Sequence, residues 1–540
     1  MTERRGDAGR VARGGAWLFL VTLVASGAAF FTSIYLARAL GPRVFGPYST
    51  AFFLTCCLGV LAAAGFPVVL TRAVAAARAK GDALAAEAHY REATRSARAY
   101  SALAIVLLVA IAFPLLDRAD GPELALSFLL LSGTVLPLAL AAVRRADLTG
   151  REAYRDIALA TGIASPLGLL FAVIGVGCGF GLAGAGVAAV LAATLQALLL
   201  GAARRRRAED GLAGRAPAAP RDPAFARSAR RCLAIQAIDL VVWQRSELLF
   251  LAILLPGSAE AGYYGAAFSL ATAAMTLVPG ALADALLPAL SAMHAQGGGS
   301  GGGGDLRRSY VRAFRGLAIL VCPILAGGLV LGEPIVAATL GPDYAGAAAL
   351  PFRLLLVGGA VGALGAASSS ILYAIGGEGF ILRMGVGVAL LNVLLDLLLI
   401  PAFGAVGAAV ANTATQVLSV GIGTAWVATR VMRAFPGAKA LLRIAGATLG
   451  MTALLVAMGP PGDGLVPLLF RVAAGAAAYG VLAFLMGALD PADKALAGEI
   501  FRMATRSRPP ERRTRAATHD AGRKPPRETK SDPPVGMPTS

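Results

Sequence analysis

The sequence is dominated by apolar runs of about 20 residues, which follow one another from residue 15 to residue 488. A helix rises about 1.5 Å per residue, so each run is long enough to cross the hydrocarbon core of a bilayer. Hydrophobic residues make up 57% of the chain and the mean hydropathy is +0.70, which excludes an ordinary soluble domain. We therefore predict an all-α, polytopic membrane protein with about 14 transmembrane helices. The predicted spans lie near 15–37, 49–71, 99–116, 123–143, 156–176, 182–203, 232–255, 263–290, 316–332, 348–375, 382–400, 404–428, 443–459 and 465–488.

Two pairs of segments indicate an internal repeat. Residues 35–54 match residues 251–270 with an offset of 216 positions, and a second match with an offset of 220 aligns Gln196 with Gln416. Spans one to six therefore repeat as spans seven to twelve. Six is an even number, so both copies begin on the same side of the membrane and form parallel lobes related by a pseudo-two-fold axis.

This repeat divides the chain into five regions. They are an N-terminal six-helix lobe (1–203), a basic cytoplasmic linker (204–231), a C-terminal six-helix lobe (232–429), two additional transmembrane helices (430–489) and a basic, largely disordered cytoplasmic tail (490–540).

The positive charge lies almost entirely in alternate loops. The formal net charge is +18, yet the loops predicted to be outside contain only Arg43 and Arg118, with Arg38 at a helix end. Such a bias is typical of membrane topology and of contact with anionic headgroups, so we predict cytoplasmic termini and no nucleic-acid partner.

Several kinds of chemistry find no support in the sequence. The five cysteines and three histidines form no metal-ligand spacing, and there is no nucleotide-binding glycine loop. The loops predicted to be outside are too short for a separate catalytic domain. We therefore expect a protein that is not an enzyme and that has no metal or other cofactor.

Three stretches, residues 37–49, 332–355 and above all 371–416, resemble the oligosaccharide-flippase (Wzx-type) branch of the multidrug/oligosaccharidyl-lipid/polysaccharide (MOP) exporter superfamily. In the third stretch, Asn392, Pro401 and Gly404 match the family pattern. The resemblance implies two MATE/MOP-like six-helix lobes around a central cavity, alternating access, and outward movement of undecaprenyl-diphosphate-linked sugars across a bacterial inner membrane. Spans one and two lack the interior arginines of lipid II flippases, which argues against a peptidoglycan precursor as the substrate.

Charged residues at membrane depth are the first candidates for function, because each is costly unless it meets water, a partner or the bundle interior. We expect Arg245 and Arg353 to bind the diphosphate of the substrate. The candidates for the coupling proton or sodium ion are Asp239, Glu247, Asp284 and Asp396. The alternative is internal pairing that holds helices together, for example between Arg353 and Asp396.

Uncharged polar residues in the spans allow two interpretations. Asn412 and Gln416 are four residues apart and share a helix face, and Gln196 is aligned with Gln416 in the other lobe. They are candidates for lining the cavity and binding sugar hydroxyls. Interhelical hydrogen bonding without a role in transport explains them equally well.

The sequence thus favours a flippase for lipid-linked oligosaccharide, with membrane lipid and other glycan-assembly proteins as further partners. A cation-coupled multidrug exporter of the same superfamily is the nearest alternative. A membrane glycosyltransferase or polymerase and a non-transporting scaffold are further alternatives.

Overall fold

The computed structural model describes residues 2–117, 121–207, 225–230, 232–233, 236, 246–280, 302–375, 377–433, 437–460, 462 and 464–488. Within these ranges the regular elements are helices and no strand occurs, which confirms the predicted all-α class. The α-helices are α1 (Thr2–Ala62), α2 (Phe66–Ala79), α3 (Ala83–Ala112), α4 (Pro122–Ser132), α5 (Val135–Gly150), α6 (Tyr154–Gly175), α7 (Gly181–Arg207), α8 (Glu247–Leu254), α9 (Glu260–Met275), α10 (Gly302–Val330), α11 (Gly332–Leu340), α12 (Pro342–Ala374), α13 (Glu378–Trp426), α14 (Ala438–Ala457) and α15 (Leu465–Leu485).

In the described ranges, nine helical stretches are long and apolar enough to cross a membrane. Three of them, of 59, 54 and 53 residues, are more than twice the length of about 20 residues that one crossing needs. Each of the three contains a glycine with positive φ near its middle, at Gly41, Gly181 and Gly404. Gly41 and Gly181 lie between predicted spans and Gly404 is the first residue of one, so each long stretch supplies two crossings. The remaining predicted spans, 232–255 and 263–290, lie partly outside the described residues. The arrangement therefore agrees with the prediction of about 14 crossings.

The second predicted span is interrupted in the structure by a left-handed turn. The span predicted at 49–71 ends its first helix at Ala62 and resumes at Phe66, because Ala64 (φ 53°) and Gly65 (φ 70°) take left-handed conformations. The backbone of Ala229 approaches Gly65 so closely that a side chain there would collide with it. The kink therefore coincides with the docking of the C-terminal end of the predicted linker.

The first repeat is visible in the backbone. Gly41 and Gly257, which the offset of 216 aligns, both have a φ of 71°. The same offset aligns Gly46 with Gly262. These two glycines contact one another, because a Cβ added to Gly46 would lie 2.9 Å from the Gly262 nitrogen. A two-fold axis that passes between two copies brings equivalent residues into contact in this way.

The second repeat has a different register from the one predicted. Gly181 (φ 49°, ψ −127°) and Gly404 (φ 54°, ψ −130°) share an unusual conformation that suits glycine alone, and they are 223 positions apart. In this register Gln416 is matched by Ala193 instead of Gln196. A shift of three residues turns a helix by about 300°, so nearly the same face is kept and the letters alone do not distinguish the two alignments.

The largest hydrophobic core joins the two halves around α1, α8 and α9, with Leu248, Leu251 and Tyr264 fully buried. A second core lies between α10 and the pair α14 and α15. There Tyr479 on α15 donates a hydrogen bond of 2.8 Å to the Ile319 carbonyl on α10. The two additional C-terminal helices are thus attached to the second half of the chain.

We predict that Gly46→Val lowers the apparent Tm of the purified protein, because overpacking of a close backbone contact costs about 1–3 kcal/mol. Gly27→Val is the matched control, since Gly27 lies on the same helix and has open space around its Cα. Thermal unfolding in detergent, followed by intrinsic fluorescence, measures both variants. Equal losses in the two variants would show that the contact with Gly262 is not a tight one.

Candidate functional site

A buried polar cluster lies in the second half of the chain, where α8, α9 and α13 meet. Glu247 begins α8 and Tyr264 lies on α9. Helix α13 contributes residues from both sides of its break at Gly404, because the chain reverses there and its two limbs lie side by side. The cluster consists of Glu247, Tyr264, Asn392, Asp396, Asn412, Thr415 and Gln416.

Glu247 is the centre of this cluster and is only 1% exposed. Its Oε2 accepts a hydrogen bond of 2.8 Å from the Tyr264 hydroxyl. Its Oε1 accepts from the Asn412 amide at 2.9 Å and from the Asn392 amide at 3.4 Å. Both oxygens of this carboxyl group therefore have neutral donors in place of water.

Asp396 lies one helical turn beyond Asn392 and is fully buried. Its Oδ2 accepts a hydrogen bond of 2.9 Å from the Asn392 amide, which therefore bridges the two carboxyl groups. Its Oδ1 has no hydrogen-bond partner, although it is buried. Asp396 is also close enough to Glu247 for their negative charges to repel one another.

Two further side chains orient the amides. Thr415 donates a hydrogen bond of 2.9 Å to the Asn392 Oδ1, and Gln416 donates one of 2.8 Å to the Asn412 Oδ1. Because each amide oxygen is occupied in this way, each amide nitrogen is directed at a carboxyl group. The two limbs of α13 thus present a preorganised set of donors to Glu247 and Asp396.

The electrostatics of the cluster favour a bound cation. Within the described part of the chain, neither carboxyl group forms an ion pair with a lysine or arginine. Two adjacent negative charges in a buried site are strongly unfavourable, so a proton, a metal cation or a basic side chain is needed to neutralise at least one of them. Carboxyl and amide oxygens are suitable ligands for a hard cation, and the unpartnered Asp396 Oδ1 leaves one oxygen available.

Arg353 lies apart from this cluster. It does not pair with Asp396, so the alternative based on that ion pair is wrong for this structure. Arg353 instead lines a cavity of about 910 Å³ together with Arg38 and Glu333, and its Nε is buried without a hydrogen-bond partner. Leu455 and Leu468, from α14 and α15, form an apolar part of the wall.

Gln196 lines another cavity, of about 360 Å³, between α1, α6 and α7. Small residues form most of its wall, and Thr32, Ser33 and Ser49 add hydroxyl groups. Gln196 is therefore placed on a cavity, whereas Asn412 and Gln416 bond within the polar cluster. The remaining candidates, Asp239, Arg245 and Asp284, lie outside the described residues.

Sequence reasoning missed three members of the cluster: Tyr264, Asn392 and Thr415. Asn392 and Asp396 are four residues apart in an otherwise apolar run, so their spacing placed both on one helix face. Thr415 lies three residues after Asn412 and has the same relation to it. Tyr264 lies in the repeated stretch 251–270, and no signal in the sequence pointed to its contact with Glu247.

The helical crossings and the internal repeat define the class of the protein as a polytopic membrane protein. The sequence model of the polysaccharide biosynthesis protein family matches residues 11–294, which is more than half of the chain. The protein belongs to that family. A search of curated proteins finds no match.

Solved structures show the same fold. A lipid II flippase, MurJ, in an inward closed conformation has a TM-score of 0.66 at 14% identity, and the match covers 87% of this chain and 98% of that one. An inward-facing multidrug resistance MATE family transporter of the MOP superfamily has a TM-score of 0.62 at 18% identity, covering 76% and 95%. An outward-facing structure of such a transporter has a TM-score of 0.55 at 18% identity, covering 78% and 96%. These likenesses establish the fold, and it is the fold that the predicted resemblance to the MOP superfamily implied.

We predict that Tyr264→Phe destabilises the protein, because it removes one donor from a buried carboxyl group and a hydrogen bond to a charged group is worth about 1.5–3 kcal/mol. Tyr263→Phe is the matched control, since Tyr263 packs edge-on against Tyr344 through its ring. The apparent Tm of both variants should be measured at the same pH and salt. If Tyr264→Phe unfolds at the wild-type temperature, its hydroxyl does not support Glu247.

Proposed function

We propose that this protein is a flippase that moves lipid-linked oligosaccharide, carried on undecaprenyl diphosphate, from the cytoplasmic to the outer leaflet of a bacterial inner membrane. The observation that carries the proposal is membership of the polysaccharide biosynthesis family, in a chain that shares the fold of a protein named as a lipid II flippase. The glycan would cross within the protein while the polyprenyl tail stays in the bilayer.

The extent of the structural matches favours a flippase over a drug exporter. The lipid II flippase covers 87% of the chain, whereas the inward-facing MATE transporter covers 76%. The chain has two helices, α14 and α15, after the twelve predicted spans of the repeat. If the flippase also has a helix pair that matches α14 and α15, it would cover a larger share of this chain than the MATE transporter does, as is observed.

The polar cluster supplies a site for the coupling ion. In this proposal, Glu247 and Asp396 bind a proton or sodium ion, and Asn392 and Asn412 hold both carboxyl groups in position. Binding or release of the ion changes the charge of the two carboxyl groups, and this changes the free-energy cost of burying them. Conformations that expose the cluster to water and conformations that bury it therefore change in relative stability. Asp239 and Asp284 remain candidates for a second acidic site.

Contacts between α1 and the second half support a state that is closed on the outer side. The Tyr344 hydroxyl donates a hydrogen bond of 2.9 Å to the Ala37 carbonyl, and Arg38 donates one of 3.4 Å to the Ala338 carbonyl. The higher TM-score with the inward-facing transporter, 0.62 against 0.55, agrees with this assignment. The positive-inside bias then places the termini and the basic linker in the cytoplasm.

In the proposed cycle the substrate meets arginine side chains on its route. Arg353 and Arg38 line one cavity, and a guanidinium group suits the oxygens of a diphosphate. Arg245 is proposed for the same role. Gln196, on its own cavity, is proposed to bind sugar hydroxyls.

The deciding experiment is reconstitution of the purified protein in liposomes with a fluorescent undecaprenyl-diphosphate oligosaccharide. We expect leaflet exchange of the labelled lipid without formation of a new glycosidic bond. Dye export driven by protons or sodium, with no exchange of any such lipid, would overturn the proposal in favour of the drug exporter. A longer glycan product would instead identify a polymerase.

We predict that Glu247→Gln and Asp396→Asn each slow ion-driven exchange by about tenfold or more, since a change of about 1.4 kcal/mol in a barrier alters a rate tenfold. Asp343→Asn is the control, because Asp343 is an exposed carboxyl group at the start of α12. The initial rate should be compared with and without a proton or sodium gradient. Full gradient dependence in both cluster variants would exclude these carboxyl groups as the coupling site.

A further inference from the structure

A separate cavity of about 710 Å³ lies at the arginine-rich end of the chain. Its walls come from the first part of α3 and from residues 225–230 and 232–233, which we call the linker segment. Arg91, Arg95 and Tyr100 line it from α3, and Arg230 and Leu233 line it from the linker segment. Neither the transport proposal nor the polar cluster involves these residues.

The cavity exists because the linker segment is docked tightly on the N-terminal half. Gly65 (φ 70°) lies under this segment, and a Cβ at Gly65 would lie 2.6 Å from the Leu233 nitrogen and 3.1 Å from the Cys232 Cβ. The Phe225 ring packs against the rings of Phe66 and His89, with centroid distances of 5.3 Å and 4.5 Å. Two distant parts of the chain are thus held together with their arginines around one space.

The charges around the cavity are unbalanced. Three arginines line it against one carboxyl group, that of Glu92. Arg91 is tied to Glu87, with 3.1 Å between its Nε and the Glu87 Oε1. Arg95 and Arg230 are exposed, and neither forms an ion pair or hydrogen bond within the described ranges.

Two neighbouring arginines, Arg204 and Arg151, differ from this pair, because each already has an acidic partner. Arg204 pairs with Glu87 and with Asp147, and it also stacks on the Tyr90 ring. Arg151 pairs with the same Asp147 at 2.8 Å. These acids lie at the same end of the bundle and are occupied, so they do not neutralise Arg95 and Arg230.

The position along α3 places the cavity at the membrane boundary. Charged residues occupy the helix up to Arg98, and Tyr100 follows at the edge of the cavity. Beyond it, Leu103 and Val106 are 65% and 64% exposed, as expected of side chains in contact with acyl chains. The phosphate groups of lipids lie at this depth.

We propose that this cavity binds the phosphate groups of a lipid headgroup in the leaflet on the arginine-rich side, which the positive-inside bias makes the cytoplasmic one. Arg95 and Arg230 supply guanidinium donors, whose fork geometry matches phosphate oxygens. The volume lies within the range of about 300–1,000 Å³ that is usual for small-molecule sites. Two lipids carry this chemistry there: an anionic phospholipid of the bilayer and a polyprenyl diphosphate.

The test is native mass spectrometry of the full-length protein with added lipid, comparing phosphatidylglycerol, undecaprenyl diphosphate, phosphatidylcholine and phosphate-free undecaprenol. The variant is Arg95→Gln/Arg230→Gln. The control, Arg98→Gln/Arg205→Gln, removes the same charge from exposed arginines that do not line the cavity. Equal apparent Tm values of the two variants show that both are folded.

We expect the wild type and the control to retain one anionic lipid. The cavity variant should bind this lipid at least about tenfold more weakly, because charge-assisted hydrogen bonds are the strong ones. Loss confined to undecaprenyl diphosphate identifies the transported type of lipid as the ligand, and loss of phosphatidylglycerol identifies a bilayer lipid. If the cavity variant and the control lose affinity for the anionic lipids equally, the proposal is overturned. It is also overturned if the wild type retains phosphate-free undecaprenol as well as it retains undecaprenyl diphosphate. The binding measurement needs no transport, so its outcome is independent of the flippase assay.

Discussion

The arrangement of the second half depends on the cost of burying Glu247 and Asp396 side by side. Neither carboxyl group has a cationic partner among the described residues, and both are removed from solvent. Amide donors from Asn392 and Asn412 offset part of this cost, but neutral donors do not cancel two adjacent charges. The pair therefore needs a compensating positive charge, and in the proposed function the coupling ion supplies it, which links ion binding to the packing of α8, α9 and α13.

Glycine geometry makes this cluster possible. The two limbs of α13 lie side by side because Gly404 takes a conformation that other residues avoid, and the Ala405 nitrogen then donates a hydrogen bond of 2.6 Å to the Glu260 carboxylate at the start of α9. A side chain at Gly404 would also collide with Glu260. The turn and the neighbouring helix therefore fix one another, and the donors on both limbs are aligned with Glu247 as a consequence.

Much of the fold could be predicted from the sequence, because apolar run length and glycine turns are local signals. The crossings and the breaks at Gly41, Gly181 and Gly404 follow from them.

The site was predictable only in part. The intramembrane cost of charge identified Glu247 and Asp396 one at a time, but their association depends on how the limbs of α13 rotate, which no local pattern encodes. Depth alone suggested the pairing of Arg353 with Asp396, and it failed because two residues at one depth can face different neighbours. Uncharged Tyr264, Asn392 and Thr415 are tolerated in membrane helices for many reasons, so they carry a weak signal.

The two halves share their geometry but differ in their chemistry. With the backbone offsets, the positions that correspond to Glu247 and Asp396 are Phe31 and Val173, and those that correspond to Asn392 and Asn412 are Leu169 and Ala189. The first half therefore has apolar residues where the second has its charge cluster, and it contains a cavity lined mainly by small side chains. In the proposed function, the coupling ion is bound in the second half alone and changes the stability of that half. Its effect must then cross to the other half through the shared core of α1, α8 and α9, where the two halves meet at Gly46 and Gly262. Tight backbone packing at this point favours transmission, since close-packed contacts shift as units and do not absorb small displacements.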